Sequence, residues 1–221
     1  MSSPDTLKVV LLGEADVGKA CIIKQFISGI FDPDTISSLS DQFISKTIEL
    51  KDIKKVIKFD IWDTAGQERF RALAKIFYTD AKVICLVYDI TSKKSFEELK
   101  EYWYEQQVKL NVDGEPIFAV VANKNDLHEY QQVSDEEGKE FAKSINAIFQ
   151  STSAKSDSGI IKLFENIGHR YYDPNFNSNE MENKDKAEYD KKKKEKEKNL
   201  IQTKGVKLET NKTKTKKKVF C

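Results

Sequence analysis

The sequence predicts an α/β fold of alternating strands and helices, and three observations carry that expectation. Short runs dense in Val, Ile, Leu and Ala at Lys8 to Leu12, Val83 to Tyr88 and Ile117 to Ala122 read as strands, the last two covered on both faces. Helical periodicity fills the intervals, with Phe96, Leu99, Trp103 and Leu110 on one stripe and Ile160, Leu163, Phe164 and Ile167 on another. A glycine-bearing turn, Gly13 to Gly18, joins the first run to a helical one, which makes a strand, loop and helix in succession.

In chain order, Lys8 to Leu12 opens the sheet and Cys21 to Ile27 forms the first helix. Phe43 to Leu50 and Val56 to Trp62 alternate apolar and polar side chains across the polar linker Lys51 to Lys55. They predict an antiparallel hairpin at a sheet edge. Val83 to Tyr88, Ile117 to Ala122 and Ala147 to Gln150 supply the remaining strands, and the two apolar stripes are expected to be core rather than a cofactor site. Asp173 and Pro174 end the last helix, because the residue before a proline is pushed out of the α region. The expected organisation is an N-terminal extension over 1–6, a folded domain over 7–175 and a basic tail over 176–221.

Length and composition narrow the class. A chain of 221 residues holds one domain with a full core and an extra segment. Cys21, Cys85 and Cys221, an odd number at unrelated spacings, exclude a disulfide framework and a four-cysteine metal site and fit a reducing compartment. No apolar run approaches the roughly 20 residues that span a bilayer, and the Met-Ser-Ser-Pro start carries neither a secretory signal nor a myristoylation glycine. Residues 181–221 contain 15 Lys against 7 Asp and Glu, a net of +8 within a chain total of +1, so the body carries −7. A polybasic segment of that kind, too poor in apolar residues to bury a core, suits an anionic membrane surface. It lacks the interleaved aromatics of a single-strand binder, so nucleic acid is not an expected partner.

The chemistry begins at Gly13-Glu14-Ala15-Asp16-Val17-Gly18-Lys19-Ala20, with Cys21 following. Two glycines let backbone N–H groups turn toward phosphate oxygens, Lys19 supplies a point charge, and the helix N-terminus favours an anion. Three further elements sit at the ends of expected strands, where open α/β sheets place ligands. In Trp62-Asp63-Thr64-Ala65-Gly66-Gln67, Asp63 can hold Mg²⁺ directly or through water, Gly66 can bring its N–H to a terminal phosphate, and Gln67 can orient an attacking water. In Asn123-Lys124-Asn125-Asp126, the Asp126 carboxylate can accept from the N1–H and 2-amino group of guanine, a donor pair that adenine lacks. Ser153-Ala154-Lys155 can offer a backbone N–H to the guanine oxygen.

These four motifs, in this order, resemble the small GTPases of the Ras superfamily. Trp62 to Arg71, Leu86 to Thr91 and the lysine-rich tail with its terminal cysteine resemble the Rab family in particular. The likeness covers roughly residues 7 to 172. It implies the P-loop small GTPase fold, a six-stranded mostly parallel sheet with one antiparallel edge strand and five helices. It also implies a GTP/GDP switch in vesicle traffic that hydrolyses GTP slowly, needs Mg²⁺, and works with an exchange factor, a GTPase-activating protein and effectors on a cytosolic membrane face. By the same likeness Phe31 matches the aromatic against the guanine, and Ser38 matches a threonine that binds Mg²⁺ and senses the γ-phosphate. Phe43, Trp62 and Phe77 match the effector-binding aromatic triad, although Trp62 and Phe77 read from sequence alone as core.

Three departures stand out. Ala20 replaces the Ser or Thr whose hydroxyl holds Mg²⁺, which leaves Ser38 and Asp63 and predicts weaker metal and nucleotide binding. Asp16 puts a carboxylate into the phosphate loop, where it repels phosphate if it points inward and is harmless if it faces solvent. The stretch Ser38-Leu39-Ser40 lacks the family's glycine. Cys221 is a candidate for prenylation, and one lipid chain with a polybasic stretch meets the usual two-signal requirement for anchoring. Two readings are therefore open: a hydrolysing switch, or a degenerate binding module that sequesters exchange factors or scaffolds.

Overall fold

The computed structural model describes residues 3–32, 43–63, 79–112 and 114–176, with Asp63 placed by its backbone. Six strands form one sheet in the order β2-β3-β1-β4-β5-β6. They are β1 (Asp5–Leu12), β2 (Ile44–Leu50), β3 (Lys55–Asp63), β4 (Val83–Asp89), β5 (Ile117–Asn123) and β6 (Ile148–Ser151). Only the β2–β3 pair is antiparallel, and β2 is the edge strand, as the alternating hairpin pattern requires. The expected strand from Ala147 to Gln150 is shifted one residue, to Ile148–Ser151. The chain divides by its internal contacts into Met1–Phe176 and Asn177–Cys221.

Period-two alternation sends β1 side chains to opposite faces of the sheet. Leu7, Val9 and Leu11 join Ile57, Phe59 and Ile61 under α1 (Lys19–Ser28) and the last helix (Ile160–Tyr172), where Phe26 stacks on Phe164 at 3.6 Å. Val10 and Leu12 join Ile84, Leu86 and Tyr88 on the other face, against Phe96, Leu99, Trp103 and Ala142. Each such side chain, fully buried, contributes roughly 1.5–3 kcal/mol of transfer free energy. Every residue of β4 is buried, which is why it reads as an unbroken apolar run.

The second long helix, α2, is composite: α-helical over Lys93–Glu98, π-helical over Leu99–Val108 and α-helical again over Lys109–Asn111. It overturns one expectation. Leu110 is 75% exposed, not core, and Val108 is fully buried in its place. The i→i+5 bonding of a π segment adds a residue to each turn, so the buried positions run Leu99, Trp103, Val108 and the α-helical projection from Trp103 to Leu110 misses the sheet.

Helix α3 (Asp135–Ser144) opens on a capping box in which Ser134 and Glu137 satisfy each other's backbone N–H groups. Helix α4 is the Ile160–Tyr172 segment, and Asp173 ends it in an extended conformation before Pro174, as the sequence predicts. A short 3₁₀ helix, Asn125–Tyr130, follows β5. No helix of the described residues is long and apolar enough to cross a membrane.

Candidate guanine-nucleotide site

The carboxyl ends of β1, β3, β5 and β6 open on one edge of the sheet, and the four motifs hang from them. After β1 the chain turns through Gly13 at φ 146°, where a Cβ would lie 2.2 Å from the Val87 carbonyl oxygen. At Gly18, with φ 94°, a Cβ would lie 2.4 Å from Asn123 Nδ2. Both positions therefore exclude a side chain, one against the sheet and one against the base-reading loop.

Between those glycines Val17 is buried, while Ala15 and Asp16 are exposed. Asp16 has φ 61°, in the left-handed region that Asp tolerates better than most residues. Gly18 caps α1 with no side-chain cap bond and no acidic residue in the first turn, an arrangement that leaves the helix N-terminus favourable to an anion. Lys19, 5% exposed, donates to the Gly13 carbonyl at 2.9 Å and the Glu14 carbonyl at 2.7 Å, folding its ammonium over the loop. Ala20 follows in the first turn and offers no oxygen.

The base end is cross-linked. Asn123, 1% exposed at the end of β5, donates from Nδ2 to the Val17 carbonyl at 2.8 Å and accepts at Oδ1 from the Thr152 hydroxyl at 3.1 Å. One amide thus ties the phosphate loop, the β5 end and the β6 end together. The backbone N–H of Asn125 donates to the Thr152 carbonyl at 3.0 Å, and the Ser153 hydroxyl donates to Asp126 Oδ1 at 2.6 Å. Ser153 Oγ in turn accepts from the Ser156 N–H at 3.0 Å. Lys124 sits at φ 66° and pairs with Asp89 at 2.7 Å, fixing its stem across the gap between β4 and β5. Ala154 is buried beside this network, and Lys155 is exposed.

Other expected residues are placed less closely. Phe31 is exposed beyond α1, and Cys21 is half-buried with Sγ 3.8 Å from the Asp32 carbonyl oxygen. Cys85 lies in the core behind the loop, where burial pushes its thiol up to about 12. Asp63 ends β3 opposite Leu11 of β1, one residue short of the phosphate loop. Phe43 and Trp62 pair with ring centroids 5.4 Å apart, Phe43 exposed and Trp62 half-buried beneath the Lys8 ammonium, 4.9 Å from its ring. Ser38, Gly66, Gln67, Phe77 and Cys221 lie outside the described residues.

Sequence reasoning missed Asp89, Thr152 and Trp103. A carboxylate closing the wholly buried β4 was a signal for Asp89, and Thr152 directly precedes the Ser153-Ala154-Lys155 motif. Nothing local marks Trp103, which reaches Glu14 from 89 residues away.

A family model described as the Ras family matches residues 8–173. The chain belongs to the Ras family. Three relatives within that family carry Rab names. RabJ of Dictyostelium discoideum is 42% identical over 163 residues, 74% of this chain and 62% of RabJ. Rab-22A of Mus musculus is 41% identical over 166 residues, 74% of this chain and 82% of Rab-22A. Rab-30 of Homo sapiens is 37% identical over 163 residues, 74% of this chain and 78% of Rab-30. The match thus spans less than two thirds of RabJ and more than three quarters of the other two. As a Rab-type member of the Ras family the chain is a GTPase and a GTP-binding switch of vesicle traffic. Ras-family GTPases bind GTP, GDP and Mg²⁺ and work with regulators and effectors.

Proposed function

We propose that this switch holds its guanine nucleotide through a complete base-reading end and a depleted metal end. The observation that carries the reading is the Asn123 amide, which bonds the phosphate loop on one side and Thr152 on the other. It sets Asp126 and Ser153 side by side where a guanine edge would lie.

In this reading Lys19 and the α1 N-terminus bind the phosphates, and Asp126 accepts from the N1–H and 2-amino group of guanine. The backbone N–H groups of Ala154 and Lys155 are the candidates for the guanine oxygen, Lys124 supports the base plane, and Phe31 lies against its exposed edge. Gly66 bonds the γ-phosphate and Gln67 orients the attacking water. The donor chemistry fits Mg²⁺ with one protein oxygen fewer than usual, since Ser38 and Asp63 would hold it and Ala20 contributes none. Bound there, the ion would neutralise charge on the phosphate oxygens. Weaker metal retention and faster nucleotide loss follow from that missing ligand. Phe43, Trp62 and Phe77 present the aromatic surface for effectors, and exchange and activating proteins act on the same switch.

The net +8 of residues 181–221 favours an anionic cytosolic membrane surface, by roughly 1 kcal/mol for each lysine near it. A lipid on Cys221 would make that attachment stable. The test is to identify the nucleotide that co-purifies with the protein and to measure GTP and ATP turnover at saturating Mg²⁺. Bound GDP or GTP with slow turnover of GTP alone supports the reading, whereas adenine nucleotide or an empty protein without turnover overturns it. Metabolic labelling that finds no lipid on Cys221 would leave recruitment to the lysines and to protein partners.

A further inference from the structure

We infer that Trp103 is a positioning residue for the phosphate loop, acting through a hydrogen bond to the Glu14 carboxylate. The inference rests on the nucleotide reading above and adds to it a brace that joins the loop to the π-helical part of α2.

The indole N–H of Trp103 donates to Glu14 Oε1 at 3.0 Å. Trp103 is 1% exposed and belongs to the core layer formed with Leu99, Phe96 and Val10, so its ring is a fixed point. Glu14 is the second residue of the phosphate loop and is held at both its side chain and its backbone. Its side chain accepts from Trp103, and its backbone carbonyl accepts from the Lys19 ammonium at 2.7 Å. The same residue therefore links a rigid core group to the lysine that would meet the phosphates. Holding the carboxylate at Trp103 keeps the Glu14 carbonyl turned toward Lys19 and keeps the negative charge at a set distance from the phosphates. Charge-assisted bonds of this kind are about twice as strong as neutral ones.

Trp103 lies within Leu99–Val108, where the wider turn alters which side chains face the sheet. Helix α2 also carries Val108 into the core on that register. A brace from this segment adds a polar link between α2 and the loop to the apolar packing of Trp103 on the sheet.

The release of a fluorescent GDP analogue from the full chain, with Mg²⁺ present, tests the brace in wild type, Trp103→Phe, Glu14→Ala, Glu14→Gln and the Trp103→Phe/Glu14→Ala pair. Each of Trp103→Phe and Glu14→Ala is expected to speed release about tenfold, and the double variant no further, because both remove one bond. Glu14→Gln keeps an acceptor and is expected to recover most of the difference from Glu14→Ala. Release unchanged in both single variants, or single effects that multiply in the double, would overturn the inference. If Trp103→Phe does not fold, the Glu14→Ala and Glu14→Gln pair decides alone: equal release from the two contradicts the brace, and slower release from Glu14→Gln supports it. A shift of Trp103 emission on Glu14→Ala, read in a Trp62→Phe background, reports the bond without nucleotide. It separates failure of the brace from failure of guanine-nucleotide binding.

Discussion

At the base end, Asn123, Asp126, Thr152 and Ser153 bond one another and the Val17 carbonyl, whereas at the metal end the first turn of α1 places an alanine where an oxygen ligand would stand. Base selection, under the proposed reading, depends on side chains that hold each other in place. Metal retention, under the same reading, lacks one oxygen ligand, at Ala20. Under the proposed reading, specificity and residence time are set separately within one fold: the cross-linked loops select the nucleotide, and the α1 end governs how long it stays.

The largest disturbance of that contrast is Asp126→Ala, which removes the carboxylate proposed to read guanine and the acceptor for Ser153. GDP affinity is expected to fall about 100-fold or more in a fluorescence titration, with folding retained. If affinity is unchanged, guanine is not read here. Gly18→Ala acts where the halves meet, because its Cβ would lie 2.4 Å from Asn123 Nδ2 at φ 94°. A loss of about 2–3 kcal/mol in urea unfolding is expected, and an unaffected midpoint would show that the junction yields easily.

Smaller effects test the scaffold that serves both halves. Val108→Ala should cost about 2 kcal/mol and Leu110→Ala less than about 0.5 kcal/mol, the reverse of what helical spacing alone implies. Equal costs would mean that the π register is not kept in solution. The smallest effect is at Glu137, whose hydrogen bond to the Lys93 ammonium, with further bonds from Ser134, holds its carboxyl at about 2 rather than its ordinary 4.5. A depressed carboxyl stabilises the fold fully above its unfolded value and loses that contribution as pH falls through about 2. The stability gap between wild type and Glu137→Gln should therefore narrow from about pH 5 down to pH 2, and narrow further in high salt because the group is at the surface. A gap that is constant with pH would show that the pair does not form.

Those comparisons also show what could be read directly from the chain. The six strands were legible because period-two alternation in β2 and β3 and unbroken apolar runs in β4 and β5 follow from how many faces each strand buries. The phosphate loop and the Asn123-Asp126 and Ser153-Lys155 motifs were legible because backbone shape and base edges demand particular residues at fixed spacing. Helical spacing puts Leu110 in the core because it assumes an α-helix, whereas Leu99–Val108 is π-helical. The Trp103 bond to Glu14 and the Thr152 bond to Asn123 were hidden for a related reason. They depend on tertiary proximity between segments 89 and 29 residues apart.

The most direct test of the account is the effect of chelating Mg²⁺ on GDP release from wild type and from Ala20→Ser. With a hydroxyl restored at the first turn of α1, GDP should leave about tenfold more slowly than from wild type when Mg²⁺ is present, and chelation should erase that difference. Wild type should accelerate only slightly on chelation. Equal release from the two proteins with Mg²⁺ present, or an equally large acceleration of both on chelation, would contradict a metal end weakened at Ala20.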